Sequence, residues 1–161
     1  MSFPVLSVAD LHGRLDLLDA AARHARDAHL VVLGDVIDRG PLGLACVRRL
    51  LDLHETGRVT LLRGNHEAMA ESSVRLYERY AASRDLEDYR AALTNFAWWS
   101  GNGGDAVRRE AGGFGVENFP PELLEYFSRL WDAAYVSADG AVTPTPPHGP
   151  GVLVTHAAPP R

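Results

Sequence analysis

Residues 30–40 read LVVLGDVIDRG, an uninterrupted apolar run that leads directly into a polar cluster. The apolar run predicts a strand that is buried on both faces, which is typical of a parallel sheet. The glycines on either side of the polar cluster permit tight turns and close backbone approach. Ligands bind at the carboxyl ends of strands in open α/β sheets, so the segment predicts a functional loop at a sheet edge.

The same arrangement, a short apolar strand followed at once by polar residues, occurs three more times along the chain. Strand, helix, strand, helix, strand is the pattern of a right-handed βαβ sheet, so we predict the α/β class. The other predicted strands lie at 5–8, 59–62 and 152–154. One helix is predicted with Leu15 and Leu18 on its apolar face, a second from Pro41, a third region over 67–99 with a break near Ser83, and a last helix over 120–130. A loop is predicted over 98–104, and turns are predicted over 134–150.

The polar clusters contain residue types that bind metal ions. Asp and Asn oxygens combined with imidazole nitrogens suit Mn, Fe or Zn. Asp10 and His12 are two residues apart, so on an extended segment both can reach one ion. A carboxylate such as Asp35 can bridge two ions. Each residue alone has a structural interpretation as a helix cap, a turn residue or a surface histidine. Asn65 and His156 extend the set, however, and the ordered recurrence of such residues after four predicted strands favours one shared metal site.

The bulk composition narrows the classes of partner. The 161 residues suffice for one domain, which we expect to span 1–161, and the net charge of −5 argues against a nucleic-acid partner. No segment approaches the ~20 apolar residues of a membrane span, and the N-terminus does not resemble a signal peptide. Cys46 is the single cysteine, which predicts a reducing cytoplasmic setting, and we interpret it as a buried apolar residue and not a nucleophile.

Four motifs follow one another along the sequence: Asp10-Leu11-His12-Gly13, residues 34–40, Gly64-Asn65-His66-Glu67 and Thr155-His156-Ala157. In this order they resemble the PPP family of metallophosphatases. That family includes serine/threonine protein phosphatases, their bacterial and phage relatives, and symmetrical diadenosine tetraphosphate hydrolases. The resemblance implies a calcineurin-like metallophosphoesterase fold, a four-layer α/β/β/α sandwich. Residues 98–104, WWSGNGG, are similar to a stretch of the phage and bacterial enzymes.

The resemblance implies a set of metal ligands and two divalent ions, foremost Mn, with Fe, Zn or Ni as alternatives. Asp10 and His12 would hold the first ion. Asp35 would bridge both ions. Asn65 and His156 would hold the second ion, and Asn65 would also contact substrate.

The resemblance also implies catalytic roles. Arg39 would bind the substrate phosphate, since a guanidinium matches two phosphate oxygens. His66 would be the general acid, and Asp38 would pair with it, favouring its protonated form and fixing its orientation. The attacking group would be a metal-bridging hydroxide, so no covalent phosphoenzyme is expected.

The sequence departs from the family pattern in two places. Ala9 stands where the first motif usually has glycine. The family also has a later C-terminal part with a further histidine ligand, whereas this sequence ends at Arg161 and its His148 precedes His156 in a Pro/Gly-rich segment. We therefore expect the C-terminal strands of the sandwich, and one ligand of the second ion, to be missing from this chain.

Three functions follow from these features. The first is a serine/threonine protein phosphatase-like phosphomonoesterase acting on phosphoproteins, which Asp38 and Glu67 favour. The second is a hydrolase of diadenosine tetraphosphate or another small phosphoester. The third is a non-catalytic, metal-binding pseudo-phosphatase, suggested by the missing histidine.

Overall fold

A parallel sheet lies at the centre of the computed structural model, which describes residues 4–157. Its strands β1 (Val5–Val8), β2 (His29–Val32) and β3 (Val59–Leu61) are adjacent in chain order and all parallel. Helices α1 (Leu15–His24) and α2 (Gly43–His54) make the two crossovers. The predicted α/β class is confirmed, and each predicted strand of this sheet lies within one residue of its observed bounds.

Two long helices, α3 (Asn65–Ser83) and α4 (Leu86–Trp99), follow β3 as an antiparallel pair. The predicted break near Ser83 is confirmed. The chain turns at Arg84, which adopts a left-handed conformation with φ 62°. In the described range, no helix is both long and apolar enough to cross a membrane.

The predicted loop over 98–104 is wrong. Trp98 and Trp99 complete α4, and Ser100–Gly104 continues as one π-helical turn before α5 (Asp105–Glu110). The three glycines are the reason, because Gly103 takes φ 122°, a non-helical conformation that kinks the chain between the wide turn and α5. The last helix, α6 (Pro121–Ser128), begins as predicted and ends two residues before the expected position.

A second, antiparallel sheet follows, and it contains two strands that the sequence did not predict. Strands β4 (Ala134–Ser137) and β5 (Val142–Thr143) form a hairpin within the segment expected to hold only turns. The predicted last strand, β6 (Gly151–Val154), is confirmed, but it pairs with β4 and does not extend the parallel sheet. Its carboxyl end nevertheless meets the same edge of the molecule as β1, β2 and β3.

The side chains of β2 alternate between two cores, as expected for a strand buried on both faces. Leu30 and Val32 pack against the helices, and Val31 packs with Leu62 and Ala134 between the two sheets. The described residues thus form three layers of the expected four: helices, parallel sheet and antiparallel sheet. The predicted burial of Cys46 is confirmed, and this burial raises the pKa of its thiol to about 12.

The N-terminus of α2 is capped from a distant part of the chain. The helix has no side-chain cap of its own. Glu110 supplies one, since its carboxylate accepts the Leu44 N–H at 2.7 Å and the Ala45 N–H at 2.8 Å. A carboxylate also interacts favourably with the positive end of the helix dipole. Glu110 therefore fixes α5, and the π turn before it, against α2.

We predict that Glu110→Ala lowers the free energy of unfolding by about 1–2 kcal/mol, because two partly buried N–H groups lose their acceptor. Denaturant unfolding measures the loss. The control is Glu87→Ala, which removes an exposed carboxylate that forms a surface salt bridge with Arg90 and should cost less than about 0.5 kcal/mol. Equal losses in the two variants would contradict the capping role.

Candidate metal centre

The loops after β1 and β2 are joined by backbone hydrogen bonds. The N–H of His12 donates to the carbonyl of Asp35 at 2.9 Å, and the N–H of Gly13 donates to the carbonyl of Val36 at 2.8 Å. These bonds continue the pairing of the two parallel strands into their loops. The first two polar clusters are consequently held side by side.

Glycines allow the loop after β2 to cross the loop after β3. Gly34 has φ +95°, and a Cβ added to it would overlap the backbone nitrogen of Gly64. A Cβ added to Gly64 would in turn overlap the Asp35 carboxylate. No residue with a side chain fits this crossing, so the backbones touch directly.

Glu67 fixes this crossing with one buried carboxylate. It accepts the N–H of Asp35 at 2.8 Å, of Val36 at 2.9 Å and of Gly64 at 3.0 Å. Burial raises the pKa of Glu67, while the bonds from Asp35 and Val36 act in the opposite direction. Glu67, which in the sequence favours a protein phosphatase, therefore contacts the backbone of the loops.

Left-handed backbone is concentrated at this site. Among described residues other than glycine, six have positive φ. Such conformations cost free energy and persist only where the surroundings impose them. Five of the six are predicted site residues: Asp10 (53°), His12 (41°), Asp35 (53°), Asp38 (73°) and Arg39 (65°).

Two predicted histidine ligands are oriented by backbone carbonyls. Nδ1 of His12 lies 3.0 Å from the carbonyl of Ile37, and Nδ1 of His156 lies 2.7 Å from the carbonyl of Leu33. A carbonyl can only accept, so each Nδ1 carries the hydrogen and each neutral ring presents the lone pair of Nε2. Such hydrogen bonding on the second nitrogen is typical of metal-binding histidines.

These lone pairs converge on Asp35. Its Oδ1 accepts the backbone N–H of His66 at 3.0 Å, and its Oδ2 lies 3.4 Å from Nε2 of His156 and 3.8 Å from Nε2 of His12. Oδ1 of Asn65 lies 3.0 Å from Nε2 of His156. Oxygen and nitrogen acceptors facing one another repel unless a cation lies among them. This set of ligand atoms therefore fits divalent metal ions that bind mixed nitrogen and oxygen ligands.

Two groups of ligand atoms, each within 4.8 Å of one another, share Asp35. One contains Asp10 and His156, and the other contains His12 and His66. A shared carboxylate is what a bridging ligand requires. Because Asp10 and His12 fall into different groups, their expected pairing on one ion stays a prediction.

His66 and Asp38 form a buried pair beside the metal ligands. Nδ1 of His66 lies 2.8 Å from Oδ2 of Asp38, and the indole Nε1 of Trp99 donates to the same oxygen at 2.8 Å. Burial raises the pKa of Asp38 to about 8 and lowers the pKa of His66. Asp38 was expected to favour protonated His66, but burial opposes the charged form of both partners.

Arg39 lies at the exposed mouth of the site. Its Nη1 is 3.4 Å from Nε2 of His12, and within residues 4–157 no carboxylate forms a salt bridge with it. The backbone N–H of Arg39 donates to the carbonyl of Gly103 in the π turn at 3.0 Å. The guanidinium is therefore available to an anion next to the metal ligands.

Sequence reasoning missed two contributors, the carboxylate of Glu67 as the tie between loops and the indole of Trp99 as a partner of Asp38. Both lie in motifs that the sequence had singled out. Their partners are distant along the chain, 32 residues for Glu67 and Asp35 and 61 residues for Trp99 and Asp38, so no local pattern indicated the contacts.

Comparison with known proteins gives one family match and several partial relatives. Residues 3–161 match the family described as calcineurin-like phosphoesterase. Serine/threonine-protein phosphatase 6 catalytic subunit of Drosophila melanogaster is 38% identical over 72 residues, 42% of this chain and 24% of the relative. Serine/threonine-protein phosphatase 1 of Salmonella typhimurium is 40% identical over 67 residues, 39% of this chain and 29% of the relative.

A third relative is named for a different substrate. The symmetrical bis(5'-nucleosyl)-tetraphosphatase of Nitrosomonas europaea is 35% identical over 77 residues, 43% of this chain and 28% of the relative. The chain thus spans less than a third of the length of each of these relatives.

We predict that Asp35→Asn reduces bound Mn²⁺ from about two ions per chain to fewer than one, because the shared carboxylate serves both groups of ligands. Equilibrium dialysis followed by atomic emission measures the metal content. The control is Asp52→Asn, which neutralises an exposed carboxylate on α2. Unchanged stoichiometry and affinity in Asp35→Asn would exclude a bridging role.

Proposed function

We propose, given that the chain belongs to the calcineurin-like phosphoesterase family, that it hydrolyses phosphoesters with the help of two divalent metal ions. The carrying observation is that Asp35 is shared by two groups of ligand atoms and that Arg39 lies exposed beside them. Two ions held there would acidify water and polarise a phosphoryl group. Mn is the metal we propose first, and the same ligands accept Fe, Zn or Ni.

The side chains around the metal ligands have separate tasks in this proposal. Arg39 binds two oxygens of the phosphoryl group through its guanidinium. In its protonated form His66 donates a proton from Nε2 to the leaving oxygen and becomes neutral, while Asp38 holds the opposite nitrogen of the ring at 2.8 Å. The buried and hydrogen-bonded state of Asp38 supports a role in orientation.

For the substrate, we propose phosphorylated serine and threonine side chains of proteins. Two relatives named as serine/threonine-protein phosphatases support this choice. The tetraphosphatase relative, with similar identity and coverage, supports dinucleoside polyphosphates as the alternative. Glu67 does not discriminate by contact, because it is fully buried against the loops. The single buried cysteine, Cys46, supports a reducing, cytoplasmic setting.

A direct comparison of substrates separates these alternatives. Purified protein with Mn²⁺ is given a phosphoserine peptide, diadenosine tetraphosphate and an aryl phosphate, and kcat/KM is measured for each. We expect the phosphopeptide to be hydrolysed at least as efficiently as the tetraphosphate. A preference of more than about a hundredfold for the tetraphosphate would overturn the protein phosphatase assignment.

We predict that His66→Asn lowers kcat on an alkyl phosphate by about a hundredfold or more, because the proton donor to the leaving oxygen is lost. Bound Mn²⁺ and KM should stay close to the wild-type values. Steady-state kinetics and metal analysis of the same preparation test both statements. A parallel loss of metal would instead identify His66 as a metal ligand, which its place near His12 and Asp35 also permits.

A further inference from the structure

We infer that Trp99 is a positioning residue that acts on the reaction through Asp38, an inference that rests on the proposed function. Its indole Nε1–H donates to Oδ2 of Asp38 at 2.8 Å, and that same oxygen faces Nδ1 of His66 at 2.8 Å. Trp99 lies outside the four loops that supply the metal ligands. It would nevertheless determine where the proton donor of the reaction points.

Within residues 4–157, the carboxylate of Asp38 has two hydrogen-bond partners, Trp99 and His66. Oδ1 of Asp38 is buried without a hydrogen-bond partner among the described residues, whereas both donors converge on Oδ2. An indole N–H can only donate, so Oδ2 must accept from Trp99. The remaining lone pair of Oδ2 then faces the hydrogen on Nδ1 of His66. This arrangement fixes the plane of the imidazole.

The indole cannot rotate away from Asp38. Trp99 is completely buried, and its ring stacks on Phe119 with centroids 5.6 Å apart and planes inclined by 29°. Phe96 and Phe114 pack against it at 5.6 Å and 6.0 Å. The backbone of Gly104 lies so close to the ring that a Cβ there would overlap it. The aromatic cluster therefore gives the N–H donor one fixed direction.

The turn after Trp99 also holds the residue next to Asp38. The carbonyl of Gly103 accepts the backbone N–H of Arg39 at 3.0 Å, and a Cβ on Gly103 would come within 2.8 Å of Cγ of Arg39. Asp38 and Arg39 both have left-handed backbone. Residues 99–104 thus constrain the side chain of one and the backbone of the other, which an unsupported loop would not do.

The test uses Trp99→Phe, which keeps an aromatic ring in the cluster and removes the N–H. A proton donor matters most when the leaving group is a poor one. We therefore expect kcat on a phosphoserine peptide to fall by about tenfold or more, and kcat on p-nitrophenyl phosphate by less than about twofold. KM and bound Mn²⁺ should be unchanged. The control is Trp98→Phe, the same substitution at a neighbouring position that is 55% exposed, and both substrates should then behave as with the wild type.

A double-mutant cycle shows whether Trp99 acts through Asp38. If it does, Trp99→Phe in an Asp38→Ala background should have no further effect on phosphopeptide hydrolysis. Independent, additive losses would overturn the inference, as would equal losses on the two substrates. A different result would contradict the proposed function itself, namely that the wild type hydrolyses no phosphoester with Mn, Fe, Zn or Ni.

A measurement on the wild-type protein covers the case in which Trp99→Phe does not fold. The Nε1–H of Trp99 should exchange with solvent far more slowly than that of exposed Trp98, and its resonance should move in Asp38→Ala. A rapidly exchanging Trp99 N–H, or a resonance indifferent to Asp38, would overturn the inference without any assay of activity.

Discussion

The buried carboxylate of Glu67 is the interaction on which the rest of the site depends. A carboxylate removed from water is costly unless hydrogen-bond donors replace the water. Here the donors are backbone N–H groups from two different loops, including those of Asp35 and Gly64. Each bond satisfies a group that would otherwise be buried without a partner, so the charge and the loops stabilise one another. Without Glu67, the two loops that cross at Gly34 and Gly64 would lose the hydrogen bonds that hold their backbones together.

The strained backbone of the site is held by hydrogen bonds between the loops, including those from Asp10 to Gly34 and from His12 to Asp35. Side chains on left-handed residues project in directions that a regular strand or helix does not offer, and the site uses this for Asp10, His12 and Asp35. Each such residue raises the free energy of the fold by about 1 kcal/mol or more. Hydrogen bonds between the loops offset that cost before any ligand arrives. The acceptors around Asp35 are therefore preorganised, and binding a cation there would require little rearrangement.

The sequence predicts those parts of the structure that are encoded locally. Short, mostly apolar runs placed β1, β2 and β3 to within a residue, and the polar residues directly after them had to meet at one edge of the sheet. Features that depend on distant contacts were not predictable in this way. Strands β4 and β5 are short and only partly buried, so they lack a clear alternating pattern. The π turn was mistaken for a loop because glycine content indicates conformational freedom without saying how it is used. Trp99 was noticed only as part of a motif, because its partner Asp38 is 61 residues away.

The bond between the ring of His156 and the carbonyl of Leu33 spans 123 residues. Contacts of such long sequence separation carry a larger loop-closure entropy than the contacts among β1, β2 and β3. As the polypeptide emerges during synthesis, the loops after β1, β2 and β3 can gather early, whereas the imidazole of His156 can join them only after β6 has been made. A nascent chain therefore acquires the acceptor of His156 after those of Asp10, His12 and Asp35, so that a cation contacting all of these side chains would be bound only after β6 has joined the fold.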